Sequence, residues 1–186
     1  MNRFLIKNTS INDLIVIHRK PLNDDRGYFE RLFCHDELKE IIADRNILQI
    51  NHSYTVNKGT VRGMHYQQLP YAELKLVSCL KGEVFDVAVD LRKNSPTFLN
   101  WHAEILSESN NRSLVIPEGF AHGFQLLSNN CELIYMTTAF YRREFESGLD
   151  ALDKQIGIDW PLDISYRSTK DQNWSSINNL FRGIEL

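Results

Sequence analysis

Glu83-Val84-Phe85-Asp86-Val87-Ala88-Val89-Asp90-Leu91 is the stretch that decides the fold class. Phe85, Val87, Val89 and Leu91 fall on one face of an extended chain, and Val84, Asp86, Ala88 and Asp90 fall on the other. That period of two belongs to a strand. Turn signals bracket the run, Lys81-Gly82 before it and Lys93-Asn94-Ser95-Pro96 after it. Working outward, similar runs occur over 14–18, 48–56, 74–80, 98–106, 113–116, 122–127 and 132–140. They are separated by Asn57-Lys58-Gly59, Pro117-Glu118-Gly119 and Ser128-Asn129-Asn130. Many short strands at close spacing predict a sandwich or barrel, and the reading is a mainly β jelly roll. Helices are predicted over 36–43, where Leu38, Ile41 and Ile42 share a side behind Asp36 and Glu37, and over 174–181.

With 186 residues and no repeats, low-complexity tracts or linkers, residues 1–186 read as a single domain. A net charge of −3 excludes a general grip on nucleic acid, so any phosphate must meet a local cluster of cations. Cys34, Cys79 and Cys131 are odd in number and widely spaced, which fits reduced thiols better than a disulfide framework or a zinc site. The first residues, Met-Asn-Arg-Phe-Leu-Ile-Lys-Asn, lack the apolar core of a signal peptide, and no run approaches the ~18–20 apolar residues of a membrane span. The expectation is a cytoplasmic protein with no membrane partner.

Several residue types in these strands suit proton transfer. Arg62-Gly63-Met64-His65-Tyr66-Gln67 follows a turn. An ideal strand sends Arg62 and His65 to opposite faces, so a bulge or bend at Gly63 is needed if both serve one pocket. A strand histidine is usually a hydrogen-bonded structural residue, but an imidazole with an unperturbed pKa of about 6.5 also suits a proton carrier. Lys75, in an apolar run, is either a surface lysine or a cation placed beside a phosphate or a developing enolate. His122, between aromatic residues, reads as a core histidine, and Tyr135 as a packed tyrosine with its hydroxyl satisfied. The six histidines, His18, His35, His52, His65, His102 and His122, include no His-x-His pair, and there is neither a phosphate-binding glycine loop nor a Gly-x-Ser-x-Gly elbow. No metal and no cofactor is expected.

Together these segments say more than each alone. Residues 62–67, Lys75-Leu76-Val77, Gly82 to Arg92, Ser95-Pro96-Thr97-Phe98, Ile116 to Phe124 and Ile158-Asp159-Trp160-Pro161 resemble the dTDP-4-dehydrorhamnose 3,5-epimerase family, in order and with compatible spacing from about residue 25 to residue 171. The resemblance implies a cupin-type jelly-roll barrel with short flanking helices, working as a homodimer with exchanged N-terminal strands. It implies a nucleotide-diphosphate sugar as substrate, inverted at C3 and C5 beside a 4-keto group. By matching position, His65 is the implied base, Asp171 its orienting carboxylate and Tyr135 the acid on the opposite sugar face. Arg62 and Lys75 are the implied cations for diphosphate and keto oxygen, and His122 a further substrate contact. Gln49, Asn51, Arg26, Glu146 and Lys170 match nucleotide-binding positions, and Tyr141 matches the tyrosine that stacks on the base. The chemistry is coherent: the ketone acidifies its neighbouring carbons, and a fixed cation stabilises the resulting enolate.

Three departures bear on substrate choice. Arg31 stands five positions after Arg26 where the family commonly has a base-reading glutamate, and Glu30 falls one residue early; in a strand that offset turns the side chain over. Arg142-Arg143 follows Tyr141 where a proline is common, and residues 148–154 lack the usual Trp-Asp-Asp-Pro-like run. The readings in competition are an epimerase at one centre, or a ketoisomerase, on a CDP-, GDP- or dTDP-linked 4-keto sugar, a jelly-roll sugar-binding module without turnover, and a metal-dependent oxygenase.

Overall fold

The computed structural model describes residues 2–186. In chain order the strands are β1 (Phe4–Asn8), β2 (Ile15–Arg19), β3 (Leu22–Asp24), β4 (Gly27–Phe29), β5 (Gln49–Thr55), β6 (Val61–Gln67), β7 (Lys75–Lys81), β8 (Glu83–Asp90), β9 (Trp101–Ser107), β10 (Arg112–Ile116), β11 (Phe120–Leu126), β12 (Cys131–Thr137) and β13 (Glu146–Gly148). Two single-turn helices, α1 (Lys39–Ile42) and α2 (Thr169–Gln172), lie between β4 and β5 and near the C-terminus. One sheet runs β1-β2-β10-β7-β12-β5, the facing sheet runs β13-β6-β11-β8-β9, and β3-β4 forms a separate hairpin. The fold is a cupin-type jelly roll.

Three apolar clusters hold these layers. Val84 and Ala88 of β8 join Val77, Leu114, Phe124 and Leu133 in the core between the sheets. The other face of β8, Val87 and Val89, meets Leu149, Ala151, Ile156 and Ile177 of the C-terminal segment, which covers the outside of the five-stranded sheet. Leu38 and Ile42 pack with Phe4, Ile17, Leu76 and Met136 on the outside of the six-stranded sheet. Both faces of β8 are therefore buried, but only the mixed one, carrying Asp86 and Asp90, points into the barrel.

The strands predicted over 98–106 and 132–140 are shorter than expected, starting at Trp101 and ending at Thr137. Ser95 and Thr97 instead donate to Asp90 Oδ2 at 2.6 and 2.7 Å, tying 95–97 into a turn. The helix predicted over 36–43 is regular only over Lys39–Ile42. The helix predicted over 174–181 does not form. Its backbone is engaged by the preceding loop: Ile177 N–H donates to Asp153, Ile177 C=O accepts from Gln155 Nε2 at 2.9 Å, and Ser175 C=O accepts from Asp150 N–H at 3.2 Å. Tertiary partners override the weak helical preference. The helix in this region is α2, whose first turn is capped by Ser168 Oγ accepting from Asp171 N–H at 3.1 Å.

Between Arg62 and His65 the strand bulges as the sequence requires. His122 pairs with His65 and Phe124 with Arg62, so two residues of β6 oppose Gly123 alone. Gly63 has φ +124°, and a Cβ there would lie 2.6 Å from Gly123 Cα and 2.9 Å from His122 O. The extra residue resets the alternation. Met64 packs outward in the cluster beneath the C-terminal segment, while Arg62 and His65 both face the barrel interior.

Candidate active site

A cavity of about 830 Å³ opens between the two sheets. The inward ladder of β5, Gln49, Asn51, Ser53 and Thr55, forms one wall. Arg62 and His65 of β6 and His122 and Phe124 of β11 form the opposite wall, and Lys75 and Tyr135 extend the first. Tyr141, Glu146, Lys170 and Asp171 close the cavity from later segments.

His65 Nε2 lies 2.6 Å from Asp171 Oδ1, and the carboxylate also accepts from Gly63 N–H at 3.4 Å. Asp171 is 3% exposed. Burial opposes its ionisation, but the hydrogen bond and charge of His65, the Gly63 amide and Ser168 outweigh that and hold the carboxyl below the usual carboxylate range. An ionised Asp171 accepts the Nε2 proton and leaves Nδ1 as the basic nitrogen. Trp174 stands edge-on to the imidazole, ring centroids 6.4 Å apart.

A second histidine–carboxylate pair lies deeper. His122 Nε2 is 2.9 Å from Asp86 Oδ2 and 3.1 Å from Oδ1, and both residues are buried. Tyr135 stands beside it, 6.2 Å between ring centroids, with its hydroxyl 2.9 Å from Ser53 Oγ. Burial raises the phenol well above its ordinary range, against the lowering effects of the Ser53 hydrogen bond and the Arg62 charge. A phenol is protonated at neutral pH even unperturbed, and this shift holds Tyr135 more firmly as the donor. His65 and Tyr135 come from facing sheets and line the same cavity.

Lys75 is not a surface lysine. Its side chain is 15% exposed and its ammonium lies 3.1 Å from Glu73, whose carboxylate also accepts from Gln67 Nε2 at 3.3 Å. Arg62 donates through Nε to Thr55 Oγ1 at 2.9 Å. Toward the mouth, a chain of contacts links the residues matched to nucleotide binding. Gln49 Nε2 donates to Asn51 Oδ1 at 3.0 Å, Tyr141 N–H to Gln49 Oε1 at 3.1 Å, and Tyr141 Oη to Glu146 Oε2 at 2.8 Å. Lys170 Nζ lies 2.5 Å from Glu146 Oε1. Burial opposes ionisation of Glu146, but Lys170 and Tyr141 outweigh it and lower the carboxyl.

Arg26 is the exception among the expected site residues. Its side chain is 89% exposed, pairs with Asp24 at 2.6 Å, and does not line the cavity of its own chain. Glu30 lies just beyond β4 and accepts from Arg19 Nε at 2.7 Å, while Arg31 pairs with Glu37. Arg142 places its guanidinium 5.3 Å over the Tyr71 ring and its N–H on Gln67 Oε1 at 2.7 Å. Within 148–154, Asp150 accepts from Arg167 Nη2 at 2.6 Å.

Sequence reasoning passed over Asp86, Ser53 and Glu73. Asp86 carried a signal, an acid between apolar residues in mid-strand with no turn beside it. Ser53 had none, since its partner lies 82 residues away, and Glu73 stands two residues before Lys75, outside the strand that carries it. Among the described residues no three His, Cys, Asp or Glu side chains form a metal-holding group, and no helix is long and apolar enough to cross a membrane.

The family model for dTDP-4-dehydrorhamnose 3,5-epimerase matches residues 8–179. A dTDP-4-dehydrorhamnose 3,5-epimerase of Shigella flexneri is 46% identical over 166 residues, 89% of this chain and 91% of that one. Its counterpart from Methanothermobacter thermautotrophicus is 42% identical, covering 95% and 96%. A crystal structure of dTDP-6-deoxy-D-glucose-3,5-epimerase from Legionella pneumophila Philadelphia 1, in complex with dTDP-4-keto-L-rhamnose, superposes with a TM-score of 0.90 at 42% identity over 95% and 94% of the two chains. With its facing His65–Asp171 pair and Tyr135 in one jelly-roll cavity, the chain belongs to the dTDP-4-dehydrorhamnose 3,5-epimerase family.

Proposed function

We propose that this chain, acting as a single domain over 1–186, is an isomerase that inverts C3 and C5 of dTDP-4-dehydro-6-deoxyglucose, giving dTDP-4-dehydrorhamnose. The observation that carries this reading is the opposition of a carboxylate-oriented imidazole on one sheet to a half-buried, protonated phenol on the other, across one cavity. A binding module needs no such opposed acid and base.

In this mechanism Arg62 holds the diphosphate, while Tyr141, Glu146, Lys170, Gln49 and Asn51 position the nucleotide. His65, through Nδ1, removes the proton beside the C4 ketone as Asp171 stabilises the imidazolium. The electron pair moves to the C4 oxygen, where Lys75, with His122 backed by Asp86, meets the developing negative charge. Tyr135 then protonates the same carbon from the other face, which inverts it. The cycle repeats at the second carbon. No metal or cofactor enters these steps.

A homodimer with exchanged N-terminal strands completes the site. The β3–β4 hairpin exposes Leu22, Tyr28 and Phe29, and the unpaired edge strand β5 exposes Ile50 and Tyr54. An isolated two-stranded hairpin is marginal alone, and an exposed apolar edge favours pairing. Exchange would carry Arg26 toward the neighbouring cavity, accounting for its distance from its own. Three free cysteines suit a reducing cytoplasm.

Incubation with dTDP-, CDP- and GDP-linked 4-keto-6-deoxyhexoses in D2O, read by NMR, tests the reaction. Deuterium entering at both C3 and C5 of the dTDP sugar is the expected result. Label at one carbon assigns a single-centre epimerase, and label in none of the sugars overturns the epimerase reading. His65→Asn is expected to lower turnover roughly 10²–10⁴-fold, the usual scale for a general base.

A further inference from the structure

Each inversion leaves Tyr135 as a phenolate, and a double epimerase must restore that proton before the second inversion. Tyr135 is half-buried and packs against the inter-sheet core. Among the described residues its hydroxyl has one hydrogen-bond partner, Ser53 Oγ at 2.9 Å. The contact is diagonal across the β5–β12 pair: Tyr135 stands opposite Asn51, and Ser53 opposite Leu133. Only a side chain as long as tyrosine reaches that diagonal neighbour. Ser53 itself is half-buried on an edge strand and lines the cavity beside the phenol.

We propose that Ser53 is the positioning residue of the acid: it aims the phenol, shares the charge left when the phenol gives up its proton, and returns a proton to it between inversions. The proposal rests on the epimerase reading above. Before transfer, Ser53 Oγ donates to the Tyr135 oxygen and leaves the phenol O–H free to turn to the carbanion. After transfer, the same Ser53 O–H donates to the phenolate, a charge-assisted hydrogen bond stronger than the neutral one it replaces. The phenolate then takes the serine proton, while Ser53 Oγ takes one from cavity water. His65 releases to solvent the proton it removed from carbon. Over one inversion, one proton leaves through His65 and one enters through Ser53, so the count balances with no other reactant.

Other residues do not replace this contact. Arg62 acts on Tyr135 through space and is itself committed to Thr55 Oγ1. Asp86 carries negative charge and opposes a phenolate. Loss of a hydrogen bond to a charged group predicts a fall in turnover of about ten- to a hundredfold.

The test compares wild type, Ser53→Ala and Ser53→Thr on dTDP-4-dehydro-6-deoxyglucose in D2O, following label at C3 and C5 separately. For Ser53→Ala the expected result is that ten- to hundredfold loss of kcat with KM changed less than about threefold, and accumulation of singly inverted sugar. Ser53→Thr, which keeps the hydroxyl, is expected to recover most of the rate and the double inversion. An unchanged kcat in Ser53→Ala overturns the proposal. So does a threonine variant as slow as the alanine one with equal melting temperature, because packing alone then explains the loss. If wild type introduces no label at all, the epimerase reading fails and takes this proposal with it. If wild type labels both carbons and Ser53→Ala matches it, only the role of Ser53 fails.

Discussion

Gly63→Ala isolates the step by which a strand becomes an active-site wall. At φ +124° the backbone is in the region that alanine avoids, at a cost of roughly 1–3 kcal/mol. The new methyl would also sit 2.6 Å from Gly123 Cα and 2.9 Å from His122 O, both backbone atoms in the middle of a sheet. Relieving that overlap by backbone shifts adds about 1–3 kcal/mol. The total of about 4 kcal/mol is a large part of the roughly 5–15 kcal/mol that stabilises a typical domain. For a chain of this size it corresponds to a fall in melting temperature of about 8–16 °C. Gly157→Ala is the control. Its φ is +62°, and its nearest neighbour would be Lys154 O at 3.8 Å, so only the conformational cost of about 1–2 kcal/mol applies. Thermal melts of both variants, with turnover measured well below the transitions, separate the two contributions. The bulge also holds Arg62 and His65 on one face, so any folded Gly63→Ala protein is expected to lose turnover, whereas Gly157→Ala is not. A Gly63→Ala protein that melts with the Gly157→Ala control and turns over normally would falsify the link between bulge and site.

The remaining predictions concern charge, acid and assembly. Asp171→Asn is expected to lower kcat about 10²–10⁴-fold, because His65 loses its tautomer and its counter-charge; steady-state kinetics checks this. Asp171 has a lowered pKa in the folded state, so its stabilising contribution is full above the unfolded value near 3.9 and is lost as pH falls through the folded value. Melting temperatures measured downward from pH 6 should therefore fall less steeply in Asp171→Asn than in wild type, and a steeper fall would contradict the assignment. Tyr135→Phe should abolish net inversion while His65 still exchanges substrate protons with solvent, seen as deuterium entry without a change of configuration. Phe29→Asp, placed on the exposed hairpin, should shift sedimentation from dimer toward monomer and raise KM; an unaltered dimer would remove the hairpin from the interface.

Much of the molecule was legible before any coordinates. The alternation of 83–91 established a strand with two distinct faces, because side-chain direction in extended chain has a period of two whatever surrounds it. The clash between that period and the spacing of Arg62 and His65 located the bulge at Gly63, since glycine alone tolerates the conformation a bulge there needs. What alternation could not decide was which face of β8 looks inward. The more apolar face turned out to lie beneath the C-terminal segment, so Asp86, on the mixed face, reaches His122 inside the barrel.

The proposed catalytic residues were named from local motifs and resemblance, yet what surrounds each of them depends on chain brought from far away. Asp171 reaches His65 across 106 residues, Asp86 reaches His122 across 36, and Ser53 reaches Tyr135 across 82. Over 174–181 local preference misled, because backbone hydrogen bonds to 150–155 satisfied the segment without a helix. The amino-acid order by itself determined β2 and β5–β12, the alternation along them and the bulge, because these follow from interactions within a few residues, whereas β1, β3, β4 and β13 were not legible in it. The cavity, the burial that raises the Tyr135 phenol and the pairing that lowers the Asp171 carboxyl were decided only by tertiary structure, because desolvation and opposed charges exist only once distant strands have closed around them.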